Sequence, residues 1–160
     1  MARKIYKATT DEILHNYFNG PKIDGDNLRY GKETEATAIE EYKAMRNGAG
    51  DTYIFAESGL VICRHYPWLC ATPDGLIIES NGELTCLEVK CPVSGATGKI
   101  KVNYLKNGFL KESSVYYAQV MIQLMACNAK KAHFYMYAKP GEDGERRSKM
   151  LTIFRDDQFI

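Results

Sequence analysis

Apolar residues recur along this chain with two different periods, and the alternation between them predicts its elements. In residues 31 to 47, GKETEATAIEEYKAMRN, Glu35, Ala38, Ile39 and Tyr42 fall at i, i+3, i+4 and i+7. That spacing predicts an amphipathic helix with one apolar stripe, closed by Gly48. Residues 113 to 128, SSVYYAQVMIQLMACN, form the longest apolar helix candidate. Elsewhere the period is two. TYIFAESGLVICR (52 to 64) predicts two short strands around Glu57-Ser58-Gly59. CATPDGLIIE is a turn feeding a strand, and Asn81-Gly82 is a hairpin dipeptide leading into ELTCLEVKC, which Pro92 ends. AHFYMYAK (132 to 139) and MLTIF predict the last two strands, and the Gly- and Lys-rich segment 93 to 112 is expected to be partly loop. Residues 1 to 30 look like a polar arm with turn signals at Gly20-Pro21 and Asp24-Gly25 and one short helix near Thr10 to Phe18. The order predicts an α/β domain: a central mixed β-sheet flanked by α-helices.

Composition narrows the class. At 160 residues the chain fits a single domain, 1–160, with the arm at 1–30 and the core at 31–160. Hydrophobic residues at 45% and charged residues at 26% match a globular chain rather than a disordered one. The net charge of +1 gives no global attraction to nucleic acid, so such a partner must be met by local patches. No N-terminal run resembles a signal peptide and no stretch is apolar enough for a bilayer, so an intracellular location with free thiols is expected: nucleus, cytoplasm, or the host cell of a virus or phage.

The strand TCLEVKCP poses the chemical question. Alternation places Leu87, Val89 and Cys91 on one face and Cys86, Glu88 and Lys90 on the other. Leu87 and Val89 are expected to pack in the core, while Glu88 and Lys90 project together from the opposite face. Alone, such a pair is a surface ion pair of little consequence. Pairing the strands around Asn81-Gly82, however, brings Asp74 to the Glu88 end. Two neighbouring carboxylates are costly unless a cation or proton lies between them. Glu35 is the acid on an otherwise apolar helix stripe, and a core-facing carboxylate needs a partner; Glu33, Glu40 and Glu41 lie away from it and are expected to be solvated. On the long helix, Tyr116, Gln119 and Gln123 lie at i, i+3 and i+7 among apolar residues, where an amide must find hydrogen bonds. Glu35, Asp74, Glu88, Lys90 and Gln119 are thus oxygen ligands or charge-stabilising groups, a set suited to a hard divalent cation and a phosphodiester.

These residues occur in motifs that resemble the PD-(D/E)xK nucleases: Pro73-Asp74, then Glu88-Val89-Lys90. GKETE, CATPDGLI, LEVKCP and YYAQVMIQLMA in that order resemble the lambda exonuclease (YqaJ-type viral recombinase) branch. The resemblance covers about residues 30 to 160 and implies a restriction-endonuclease-like core. It implies Mg²⁺, with Mn²⁺ as a substitute, bound by Asp74, Glu88 and the Val89 carbonyl. Glu35 completes the site directly, through water or at a second ion, together with Gln119, while Lys90 activates water. It further implies 5′-to-3′ degradation of linear double-stranded DNA in recombination or repair, a single-strand annealing protein as partner, and a homotrimer. The family's upstream arginine and Ser/Thr for a terminal 5′ phosphate are not matched before Gly31. Two other readings use the same residues: an endonuclease or structure-specific nuclease, and a catalytically inactive DNA-binding module.

For DNA contacts, residues 99 to 111 (KIKVNYLKNGFLK) carry Lys99, Lys101, Lys106 and Lys111 without an acid, interleaved with Tyr104 and Phe109. Arg64 and Tyr116 join this set, and Trp68 is expected to pack rather than stack on a base. Cys63, Cys70, Cys86 and Cys91 lack CxxC spacing, so core thiols are expected and no iron–sulfur cluster.

Overall fold

A computed structural model describes residues 25–159 of the chain. The short helix expected near Thr10 to Phe18 lies outside them. Helix α1 spans Asp26–Gly48 and so starts before Gly31, where the sequence suggested its beginning. Its first turn hangs on the Gly25 carbonyl, which accepts from the Leu28 and Arg29 amides, and Arg29 pairs with Asp26 at 2.6 Å. Gly31 is therefore an interior helix residue, tolerated at about 1 kcal/mol relative to alanine.

Nine strands follow: β1 (Tyr53–Ala56), β2 (Val61–Ile62), β3 (Cys70–Ala71), β4 (Gly75–Glu79), β5 (Leu84–Lys90), β6 (Leu105–Lys106), β7 (Phe109–Leu110), β8 (Lys131–Met136) and β9 (Lys149–Phe154). A 3-10 turn at Val93–Thr97 leaves β5, and helix α2 (Val115–Ala126) precedes β8. Ser114 caps α2, its side chain accepting from the Tyr116 amide at 3.1 Å.

The central sheet has the order β1-β4-β5-β8-β9. Only β5 and β8 run parallel, and α2 is the crossover between them. The mixed sheet with flanking helices matches the expected class. The second strand of the 52–64 segment does not join it: β2 pairs with β3 in a separate hairpin. In the lysine-rich segment a third small pair, β6–β7, turns at Asn107-Gly108, both with positive φ (53° and 84°).

Both faces of β5 are buried, which corrects the one-sided strand. Ala38 and Tyr42 of α1 cover Ile77, Leu87, Val89 and Tyr135. Val120, Met121 and Leu124 of α2 cover Cys86, Ala132, Phe134 and Met136. The crossover helix must lie against the face that carries Cys86 and Glu88, so Thr85 through Val89 all lose contact with solvent. Glu41 is not a solvated acid either: it accepts from the Tyr135 hydroxyl at 2.6 Å and from Ser148. At the far end of α1, buried Arg46 donates to Glu79 at 2.8 Å and to Tyr42, whose hydroxyl hydrogen-bonds His133 Nδ1 at 2.6 Å. Among the described residues no helix is long and apolar enough to cross a membrane.

Candidate active site

The hairpin register builds the first half of the site. Gly75 pairs with Leu87, and the Asp74 amide donates to the Leu87 carbonyl at 2.9 Å. Asp74 therefore stands opposite Glu88 at the mouth of the β4–β5 pair. Its side chain folds back, with Oδ2 accepting from the Val89 amide at 2.6 Å. The N–H and C=O of a strand residue point to the same side, so the Val89 carbonyl also faces the β4 edge where Asp74 lies. Gly75 leaves room for this turn: a Cβ there would lie 2.6 Å from the Phe55 ring.

Helix α2 supplies the second half. Glu88 is 1% exposed, and three donors converge on it. Gln119 Nε2 reaches Oε1 at 2.8 Å, Gln123 Nε2 reaches Oε2 at 2.5 Å, and Lys90 Nζ donates to Oε1. A buried carboxylate demands such donors. Lys90 is held from its other side by Tyr116, whose ring centroid lies 4.8 Å from Nζ. Tyr116 is in turn braced edge-on by Tyr104 at 4.7 Å.

The environment of Asp74 disfavours its charge. Burial, then the adjacent Glu88 charge, pushes Asp74 up to about 7; the Val89 amide and Lys90 act against this. Two carboxylates and a free backbone carbonyl at one strand end are hard oxygen donors, and the strained ionisation of Asp74 is what a cation would relieve. Asp74, Glu88 and the Val89 carbonyl therefore fit a divalent cation. Glu35 stands apart: it is exposed rather than core-facing, its charge adds to the upward push on Asp74, and among the described residues no three His, Cys, Asp or Glu side chains converge on one ion position.

A groove of 1320 Å³ runs in front of this cluster, between the N-terminal half of α1 and the segment leading into α2. Glu35, Lys90, Lys101, Tyr104, Lys111 and Tyr116 line it. Lys101, Lys111 and Tyr116 are thus brought to the site, whereas Lys99, Lys106 and Arg64 are exposed elsewhere. Tyr104 is taken up by packing on Tyr116 and Phe134, while Phe109 is 75% exposed beyond the Asn107-Gly108 turn. Trp68 does not pack as expected; it is 78% exposed. Of the thiols, Cys63 and Cys86 are buried, Cys91 and Cys127 are half-buried, and Cys70 is exposed, which corrects its placement as a core thiol. Gln123 is the site residue that the sequence marked but did not assign. Its i+4 spacing from Gln119 on the same stripe was the available signal.

Comparison with known proteins decides the family. Residues 3–130 match the model of the YqaJ-like viral recombinase domain. The chain belongs to that family. Membership makes it a nuclease. The fold agrees with solved structures. An alkaline exonuclease, LHK-Exo, from Laribacter hongkongensis shares 24% identity over 92% of this chain and 68% of its own, with a TM-score of 0.65. The same enzyme in complex with dAMP shares 24% identity over 96% and 74%, with a TM-score of 0.66. A phage-related exonuclease from Haemophilus somnus 129PT shares 13% identity over 93% and 71%, with a TM-score of 0.57. No curated protein matches the chain.

Proposed function

We propose that this nuclease is a Mg²⁺-dependent enzyme that hydrolyses linear double-stranded DNA in the 5′-to-3′ direction, in recombination or repair. The observation that carries this is the opposition of Asp74 and Glu88 across the β4–β5 register, with Lys90 and Gln119 fixed on the same carboxylate. Asp74, Glu88 and the Val89 carbonyl would hold the cation, which when bound neutralises charge on a phosphodiester and acidifies a water.

The chain's own residues do the rest. Glu88 is oriented by Gln119 and Gln123, so its geometry is set before substrate arrives. Lys90 sits at the groove wall with its ammonium between Glu88 and the Tyr116 ring, where it can hold the attacking water and stabilise charge developing on the phosphate. Glu35 lines the groove from α1, where it would complete the site through water or at a second ion. Lys101 and Lys111 provide phosphate contacts along the groove. The two solved exonucleases with the same fold are consistent with an end-directed enzyme.

The discriminating experiment supplies Mg²⁺ and three duplexes of one sequence: linear with 5′ phosphate, linear with 5′ hydroxyl, and covalently closed circular. Loss of the linear forms with an intact circle, and mononucleotides released from the 5′ end, is the expected result. Cleavage of the circle would establish an endonuclease instead.

A further inference from the structure

The β2–β3 hairpin presents two aromatic rings that the active site does not use. Tyr66 is 43% exposed and Trp68 78% exposed. Their ring centroids lie 5.7 Å apart, tilted by 59°. Single exposed apolar side chains are ordinary, but a contiguous exposed patch marks an interaction site.

The platform under the rings is rigid. The Cys63 amide donates to Leu69 O and the Leu69 amide to Tyr66 O, both at 2.8 Å. Cys63 and Ala71 pack against Ala126 of α2, with Leu69 and Met125 closing the cluster. Pro67, between the two aromatics, fixes the backbone further. The rings are therefore preorganised and lose little freedom on binding.

Charge selects the occupant. From Ser58 through Pro73 the chain has no Asp or Glu, while Arg64 and His65 are exposed beside the rings. An acid-free aromatic pair flanked by an arginine and an imidazole matches the way single strands are held, with bases stacked on π-faces and phosphates met by positive charge. Thr72 and Pro73 join this hairpin to Asp74. Trp68 and Asp74 are six positions apart in the chain, so their backbones lie no more than about 22 Å apart. That bound is the length of a few nucleotides, so a strand reaching the carboxylates can also reach the hairpin.

We propose that Tyr66 and Trp68 form a base-stacking platform for single-stranded DNA at the edge of the active site, with Arg64 on its phosphates. The inference rests on the nuclease reading above for the origin of that strand. Leu60 and Ile62, 63% and 58% exposed on the same hairpin, extend the patch and make contact between copies of the chain the competing occupant.

Trp68 is the sole tryptophan, so intrinsic emission reports on this platform alone. The full chain is titrated with oligo-dT in EDTA at low salt, where no hydrolysis occurs, and binding is followed in parallel by the anisotropy of a labelled oligonucleotide. Saturable quenching of Trp68 is expected, together with a rise in Kd of roughly fivefold or more for Tyr66→Ala and Trp68→Ala and a smaller rise for Arg64→Ala. Oligonucleotide binding without a change in emission would overturn the platform. So would emission that follows protein concentration and ignores oligonucleotide, which would mark an interface between copies. The same preparations are assayed on linear duplex with Mg²⁺. Cleavage without quenching removes the platform alone, and quenching without cleavage removes the nuclease reading and leaves the platform standing.

Discussion

Gln123 of α2 donates to Glu88 Oε2 at 2.5 Å, while its own Oε1 is buried and finds no partner among the described residues. The amide is committed to the carboxylate at a cost to itself, which identifies Glu88 as the group the helix serves. Gln123→Leu keeps the side-chain volume and leaves Glu88 short of a donor. A loss of about 1–3 kcal/mol is expected in denaturant melts. Gln119→Leu, half-buried and nearer the groove, should cost less stability and more activity.

Lys90 pairs with Glu88, yet Asp74 still lies against the Glu88 charge, so neutralising Asp74 removes that repulsion. Asp74→Asn keeps an acceptor for the Val89 amide and removes the charge. In EDTA the variant should melt higher than the parent. Mg²⁺ should raise the Tm of the parent and leave that of Asp74→Asn unchanged, read by calorimetry with increasing metal.

His133 provides a pH test away from the site. Burial, then the Arg46 charge, lowers its pKa to about 4, against an ordinary value of 6.5. Between those values the unfolded chain binds a proton that the folded chain refuses. Stability is therefore full above pH 6.5 and is lost as pH falls towards 4, by up to about 3 kcal/mol. His133→Asn offers Tyr42 an uncharged acceptor. The difference between parent and variant in urea midpoints should grow as pH falls through this window.

Gly95 sits where the 3-10 turn after β5 meets the end of β8. A Cβ there would lie 2.4 Å from the Tyr137 carbonyl oxygen, a backbone atom that cannot move aside. At Gly75 the obstacle is the Phe55 ring, a side chain. Gly95→Ala should therefore destabilise more than Gly75→Ala, by about 1–3 kcal/mol. It should also weaken activity, because the turn lines the groove beside Lys90.

Salt dependence separates groove lysines from the others. Lys101→Ala and Lys111→Ala should each lower the slope of log K against log salt for duplex DNA by about 1. Lys99→Ala and Lys106→Ala, outside the groove lining, should change it less.

The sequence showed the site most clearly where local geometry sets it. Asn81-Gly82 fixes a two-strand register, and that register alone puts Asp74 opposite Glu88. What escaped was set by tertiary packing. The burial of Glu88 depends on α2 crossing over β5, which no property of the strand announces. Glu41 looked solvated because its partners, Tyr135 and Ser148, come from distant segments. Gly31 looked like a helix start because a glycine in mid-helix is disfavoured, yet the turn before it is held by Gly25 and Asp26. Asn107-Gly108 carried the same signal as Asn81-Gly82 and was obscured by the surrounding lysines. Trp68 was expected to pack rather than stack on a base, whereas the small hairpin that holds it outward follows from β2 leaving the main sheet.

Lys90 gives the most direct test of the active-site account, because it alone joins Glu88, the Tyr116 ring and the groove wall. The rate of linear duplex hydrolysis with Mg²⁺ is measured for the parent and for Lys90→Ala, with circular dichroism confirming an unchanged fold. A fall of about 100-fold or more is predicted. Undiminished cleavage by Lys90→Ala would contradict the account.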